Sequence, residues 1–120
     1  MKNILFIIFS LSLLVISTSD IKAQKSSKKI ETAEFSVQGV CQMCEKRIEK
    51  AALTSGVMSA IWDKDTQKVT VIYKPKKVSL ATIKEAIAGV GHDTDSIKAS
   101  DEVYNTLPEC CAYRDGVKVH

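Results

Sequence analysis

Cys41 and Cys44 are separated by two residues and stand where an alternating polar–apolar run gives way to helix formers. Two thiols at that spacing can converge on one soft ion, act as a redox pair on a substrate disulfide, or close a structural disulfide. Position favours the thiolate form. The first turn of a helix offers unpaired backbone N–H groups and the positive end of the dipole, and both stabilise a negative sulfur. Cu(I) accepts two thiolates in a near-linear arrangement, whereas Zn(II) seeks a tetrahedron of donors. A two-cysteine loop alone therefore suits Cu(I) or Hg(II) better than Zn(II).

Three further residues extend this candidate metal set: His92, Cys110 and Cys111. His92 falls in a polar turn with Asp93, Thr94 and Asp95, where it serves either as a third ligand or as a turn residue bonded to Asp93 or Asp95. Adjacent cysteines such as Cys110 and Cys111 rarely join each other, because the ring they would close is strained. The stretch from Asp101 to Glu109 spans at most about 30 Å. Returning along a short strand to the Cys41 loop takes about 17 Å, so the tail thiols are within reach. They would then add up to two thiolates, allowing Cu(I) in higher coordination, a small copper cluster or tetrahedral Zn(II). The alternative is a tail whose cysteines form disulfides with Cys41 or Cys44, or between molecules. Met43, between the first two cysteines, reads as a core or shielding residue rather than a ligand.

The elements that must position these groups follow from the hydrophobic pattern. Glu34 to Gln38 alternates around Phe35 and Val37 as a half-buried strand. Gly39 to Met43 forms a loop. From Cys44 to Thr54, Cys44, Ile48, Ala51 and Ala52 make one apolar helical stripe, which Gly56 ends. Val57 to Trp62 and Lys68 to Tyr73 are β-rich runs joined by the polar turn Asp63 to Gln67, a hairpin. After Pro75, Ser79 caps a second helix in which Leu80, Ile83, Ile87 and Val90 share a face and which Gly91 closes. Ser96 to Ala99 then reads as a short fourth strand. The order strand, helix, strand, strand, helix, strand predicts an α+β ferredoxin-like βαββαβ fold, a four-stranded antiparallel sheet with two helices on one face. An irregular C-terminal extension follows. Phe35, Trp62, Val71 and Tyr73 are expected in the core, and Glu45, Lys46, Arg47, Glu49 and Lys50 on the solvated face of the first helix.

Val37, Gly39, Cys41, Cys44, the first helix, Gly56-Val57, the hairpin and Gly91 together resemble the heavy-metal-associated domain, a family that contains copper chaperones and periplasmic mercury-binding proteins. The resemblance runs from Glu34 to about Ala99 in matching element order, and it implies that Cys41 and Cys44 bind a soft metal. It also implies that the residue at His92 adjusts the charge and exposure of that metal. The family motif Gly-Met-x-Cys-x-x-Cys is one residue shorter here, Gly39-Val40-Cys41-Gln42-Met43-Cys44.

Composition limits the remaining functions. The chain has 120 residues with a formal charge of +3, and apart from the run Lys25 to Lys29 its basic residues are scattered between acidic ones along most of the chain, so nucleic-acid binding has little support. No Gly-rich phosphate loop or Ser/His/Asp grouping suggests an enzyme. Residues 1–23, with Lys2, the apolar run Ile4 to Ile16 and Ala23, read as a secretory signal peptide, a retained anchor being the alternative. Residues 24–33 then form a flexible leader, 34–99 the domain and 100–120 the extension. The expected function is that of an exported periplasmic or secreted protein that captures Cu(I), or else Hg(II) or Zn(II), as a chaperone or scavenger. Its partners would be the metal ion and a metal-transporting membrane protein or another metal-binding protein, with the chain a monomer or a metal-bridged dimer. The competing function is a thiol–disulfide oxidoreductase using the same Cys41 and Cys44.

Overall fold

A computed structural model of the chain describes residues 29–116 and Val119. The expected signal peptide and the first half of the leader, residues 24–28, lie outside the described residues. The elements are β1 (Glu31–Ser36), α1 (Gln42–Ala52), β2 (Val57–Asp63), β3 (Lys68–Tyr73), α2 (Leu80–Ala88) and α3 (Asp101–Tyr104). Two 3₁₀ turns, Glu109–Cys111 and Tyr113–Asp115, complete the tail. β1 begins three residues before the domain boundary expected from sequence, so Glu31 to Ala33 belong to the sheet rather than to a leader.

The sheet is three-stranded and antiparallel in the order β1-β3-β2, with Phe35 opposite Val69 and Trp62 opposite the same residue on the other side. β3 is central, and its alternation puts Val69, Val71 and Tyr73 on the buried face. Ile48 of α1 and Ile83 and Ile87 of α2 join them, fully buried, in one continuous core. Burying a side chain of that size contributes about 2 kcal/mol, so this shared apolar face is what holds helices to sheet. The Ser79 hydroxyl accepts from the Thr82 N–H and caps α2, as its position before the apolar stripe predicts.

The expected fourth strand does not form. The Gln38 N–H donates to the Asp93 carbonyl and the Asp95 N–H to the Ser36 carbonyl, leaving a single bridge between Val37 and Thr94 beside β1. The chain then turns in on itself. The Thr94 N–H and hydroxyl both donate to the Ile97 carbonyl, the same hydroxyl accepts from the Ile97 N–H, and the Asp93 carboxylate accepts from the Ala99 N–H. Those groups are the ones a ladder would use, and local side-chain bonds of this kind compete with sheet pairing.

Candidate metal centre

Cys41 occupies the N-cap of α1, and Cys44 lies one turn into the helix on its buried stripe. The loop leading into Cys41 is shaped by Gly39. A Cβ at that position would stand 2.9 Å from the Trp62 ring and 3.1 Å from the Cys44 Cβ, so only glycine lets the loop lie against the indole. Trp62 is itself held by a bond from its Nε1–H to the Val37 carbonyl at 2.9 Å. Glu49, expected in solvent, instead accepts from the Trp62 N–H at 2.8 Å and ties α1 to β2.

The third member comes from the tail. Cys111 is fully buried, and its Sγ lies 3.6 Å from that of Cys41, which is also 3.6 Å from that of Cys44. The three sulfurs lie within 4.8 Å of one another. All are free thiols. Arg47 turns its Nη1 toward Cys111 Sγ at 3.5 Å, adding a positive charge beside the cluster that reading α1 as a solvated face misses. The clue was in its i, i+3 spacing from Cys44, which puts the two on neighbouring positions of one helix face.

The thiols differ in acidity. Burial raises the Cys41 pKa. Although its side chain makes no formal capping bond, it faces the N–H groups of Cys44 and Met43, and these, with the Cys111 and Cys44 thiols, outweigh burial and bring it down to about 7. Burial pushes the Cys111 thiol well above its ordinary value, and the neighbouring Cys44 and Cys41 sulfurs push it the same way, against the opposing effect of Arg47.

His92 and Cys110 stand outside this group. His92 is fully buried, its Nδ1–H donates to the Gln38 carbonyl at 2.8 Å, and its Nε2 has no partner among the described residues. Burial lowers its pKa to about 4, so the ring is neutral. It bonds neither Asp93 nor Asp95 through its ring; it instead fixes the Gln38 carbonyl before the cysteine loop and stacks on Tyr113 at 5.6 Å. Cys110 faces outward, its thiol 3.7 Å from the Met43 sulfur. Met43 is exposed rather than part of the core.

A polar latch brings Cys111 to the cluster. Arg114 forms two parallel bonds to the Asp93 carboxylate, at 2.6 and 3.1 Å, and further bonds to the Ala99 carbonyl and Asp101. Burial would raise the Asp93 pKa, but the Arg114 guanidinium and the Ala99 N–H hold it below the usual carboxylate value. The Tyr113 hydroxyl donates to the Gly91 carbonyl at 2.6 Å and accepts from the Asp93 N–H at 2.9 Å. Gly91 adopts φ +108, and Leu107 lies where a Cβ would be. None of these tail partners was singled out from the sequence, because each acts only through residues far away in the chain.

A small α+β module with a thiol cluster at the first loop and helix is the architecture so described. The chain matches the heavy-metal-associated domain over residues 34–93 and belongs to that family. A 64-residue stretch is 39% identical to the copper-exporting P-type ATPase of Bacillus subtilis (strain 168), covering 52% of this chain but 8% of that protein. Among solved structures, the N-terminal domain of a potential copper-translocating P-type ATPase from Bacillus subtilis in the Cu(I)-loaded state is similar at 35% identity and TM-score 0.52, over 59% of this chain and 99% of that one. The CopZ metallochaperone is similar at 30% identity and TM-score 0.52, over 53% and 98%. Oxidised MerP from Ralstonia metallidurans CH34 is similar at 25% identity and TM-score 0.52, over 55% and 94%. The family match ends at Asp93, so Cys110, Cys111, Tyr113 and Arg114 all lie beyond it.

Proposed function

We propose that this protein binds Cu(I) as cargo through Cys41, Cys44 and Cys111, outside the cytoplasm, and buffers it or hands it to a metal-binding partner. The observation that carries this reading is the meeting of three sulfurs within 4.8 Å at the first turn of α1. Three thiolates suit a trigonal soft ion. Zn(II) would need a fourth donor, and the described residues supply none within that group. The P-type ATPase relatives described above are named for copper, and the similarity to them supports Cu(I) as the cargo. Arg47 offsets part of the negative charge that three thiolates place around a monovalent ion. Handover then proceeds by exchange, an incoming partner sulfur replacing one thiolate at a time through an intermediate of the same coordination number plus one. The N-terminal residues 1–23 would direct export.

The test is anaerobic titration of the reduced protein with Cu(I) against a chromophoric competitor. The Cys41→Ser form should lose tight binding, and Cys111→Ser should keep one equivalent at an affinity lower by about tenfold or more, the consequence of losing one thiolate. Tight binding that survives Cys41→Ser would exclude this site. Insulin reduction at a thioredoxin-like rate would instead support the oxidoreductase function, which the lowered Cys41 pKa alone permits.

A further inference from the structure

Outside the three-thiol cluster, the surface carries a second pair of sulfurs. Cys110 Sγ lies 3.7 Å from Met43 Sδ, although 67 positions separate the two residues in the chain. Both are open to solvent: Met43 is 51% exposed and Cys110 half-buried. Together with Gln42 and Cys41 they line a surface hollow of about 370 Å³. Cys41 therefore belongs to two groups at once. It lines the hollow on one side, and it lies 3.6 Å from Cys44 and from Cys111 on the other.

An exposed methionine on the first turn of a helix does nothing for the core, and its thioether is a ligand of narrow taste. Thioether and thiolate donors together select Cu(I), whereas Zn(II) takes thiolate, imidazole or carboxylate. Charge gives the same answer. One thiolate and one neutral thioether cancel the single charge of Cu(I), which allows a temporary complex at the surface without a further counter-ion. The inner cluster, with more thiolates and less solvent, is the better final holder.

We propose that Met43 and Cys110 form an outer docking site for Cu(I), from which the ion passes to Cys41 and then into the inner cluster; this rests on the Cu(I) reading above. On docking, the Met43 sulfur donates a lone pair, the Cys110 thiol releases its proton to water as its bond to copper forms, and the ion's previous ligand departs. The Cys41 thiolate then bonds to the ion and the neutral Met43 sulfur leaves. Bonds to Cys44 and Cys111 follow, with loss of any protons these thiols carry, while Cys110 departs and takes a proton back from water. Copper remains Cu(I) throughout, so no oxidant or reductant enters.

Stopped-flow transfer of Cu(I) from its bathocuproine disulfonate complex to the reduced full chain, under argon, separates this from an inert surface pair. Met43→Leu and Cys110→Ser should each slow loading by about tenfold more than they weaken equilibrium affinity, and the double variant should be no slower than either, as two ligands of one site require. Met58→Leu, an equally exposed methionine on β2, should load at the unaltered rate. In a Cys41→Ser/Cys44→Ser/Cys111→Ser chain that retains its circular dichroism, one weakly held Cu(I) should remain and be lost on adding Met43→Leu. Unaltered loading in both single variants would overturn the outer site, while Cys41→Ser would still abolish tight binding. Retention of tight Cu(I) by Cys41→Ser would overturn the reading beneath it.

Discussion

His92 shows how a side chain can lie beside a site and serve its geometry. Its Nδ1–H fixes the Gln38 carbonyl and its ring stacks on Tyr113, so it braces both the cysteine loop and the tail. Burial brings its pKa from 6.5 down to about 4, with Arg47 acting the same way and the Gln38 bond and Asp93 acting against. Between those values the unfolded chain binds the extra proton and the folded chain does not. Stability must therefore fall as the pH drops through that window, and the native state gains nothing from His92 protonation until about pH 4. Urea unfolding should show a loss of about 2 kcal/mol between pH 7 and 4.5 attributable to this ring, measured as the difference between the native chain and His92→Gln. An identical pH dependence in the two proteins would contradict a neutral buried His92.

At the scale of elements, the loop from Val37 to Cys41 is held to α1 and β2 by close contact. Gly39 lies against Trp62, whose indole bonds back to Val37 and whose N–H is accepted by Glu49 of α1. Gly39→Ala would place a methyl group 2.9 Å from the indole, and the ring cannot retreat without losing its bond to Val37. The substitution should cost about 2 kcal/mol in denaturant unfolding, the usual penalty for overfilling a tight site, and weaken Cu(I) binding by displacing Cys44. Most elements were legible because their apolar spacing matched helix or strand periods over many residues: β2 and β3 lie where the pattern puts them, while α1 begins two residues earlier, with Gln42 and Met43 helical rather than looped, and α2 ends at Ala88, before Val90. Ser96 to Ala99 was not. Its pattern was short, and Asp93 and Thr94 supplied side-chain partners that closed a turn before a ladder could extend.

At the scale of the whole molecule, the tail completes the site that the domain begins. Arg114 and Asp93 anchor it, with Asp93 nearly buried and its two carboxylate oxygens accepting from the guanidinium Nε and Nη2. Arg114→Met should leave that carboxylate buried without its partner and destabilise the protein by about 3 kcal/mol. It should also free Cys111, so that X-ray absorption of the Cu(I) form reports two sulfurs in place of three. Retention of three sulfurs in Arg114→Met would show that Cys111 reaches the cluster without the latch.

The sequence by itself determined the family, the central strand and helix pattern, and the Cys41 and Cys44 pair at a helix start, because each depends on local spacing and residue type. The reach of the tail was legible too, as a length. Only the tertiary structure decided which tail thiol turns inward. Cys110 and Cys111 are chemically alike and adjacent, and the 3₁₀ turn that holds them points Cys111 to Cys41 and Cys110 to Met43. That outcome rests on Arg114, Tyr113 and Leu107 finding Asp93 and Gly91, contacts between distant residues that no local pattern encodes.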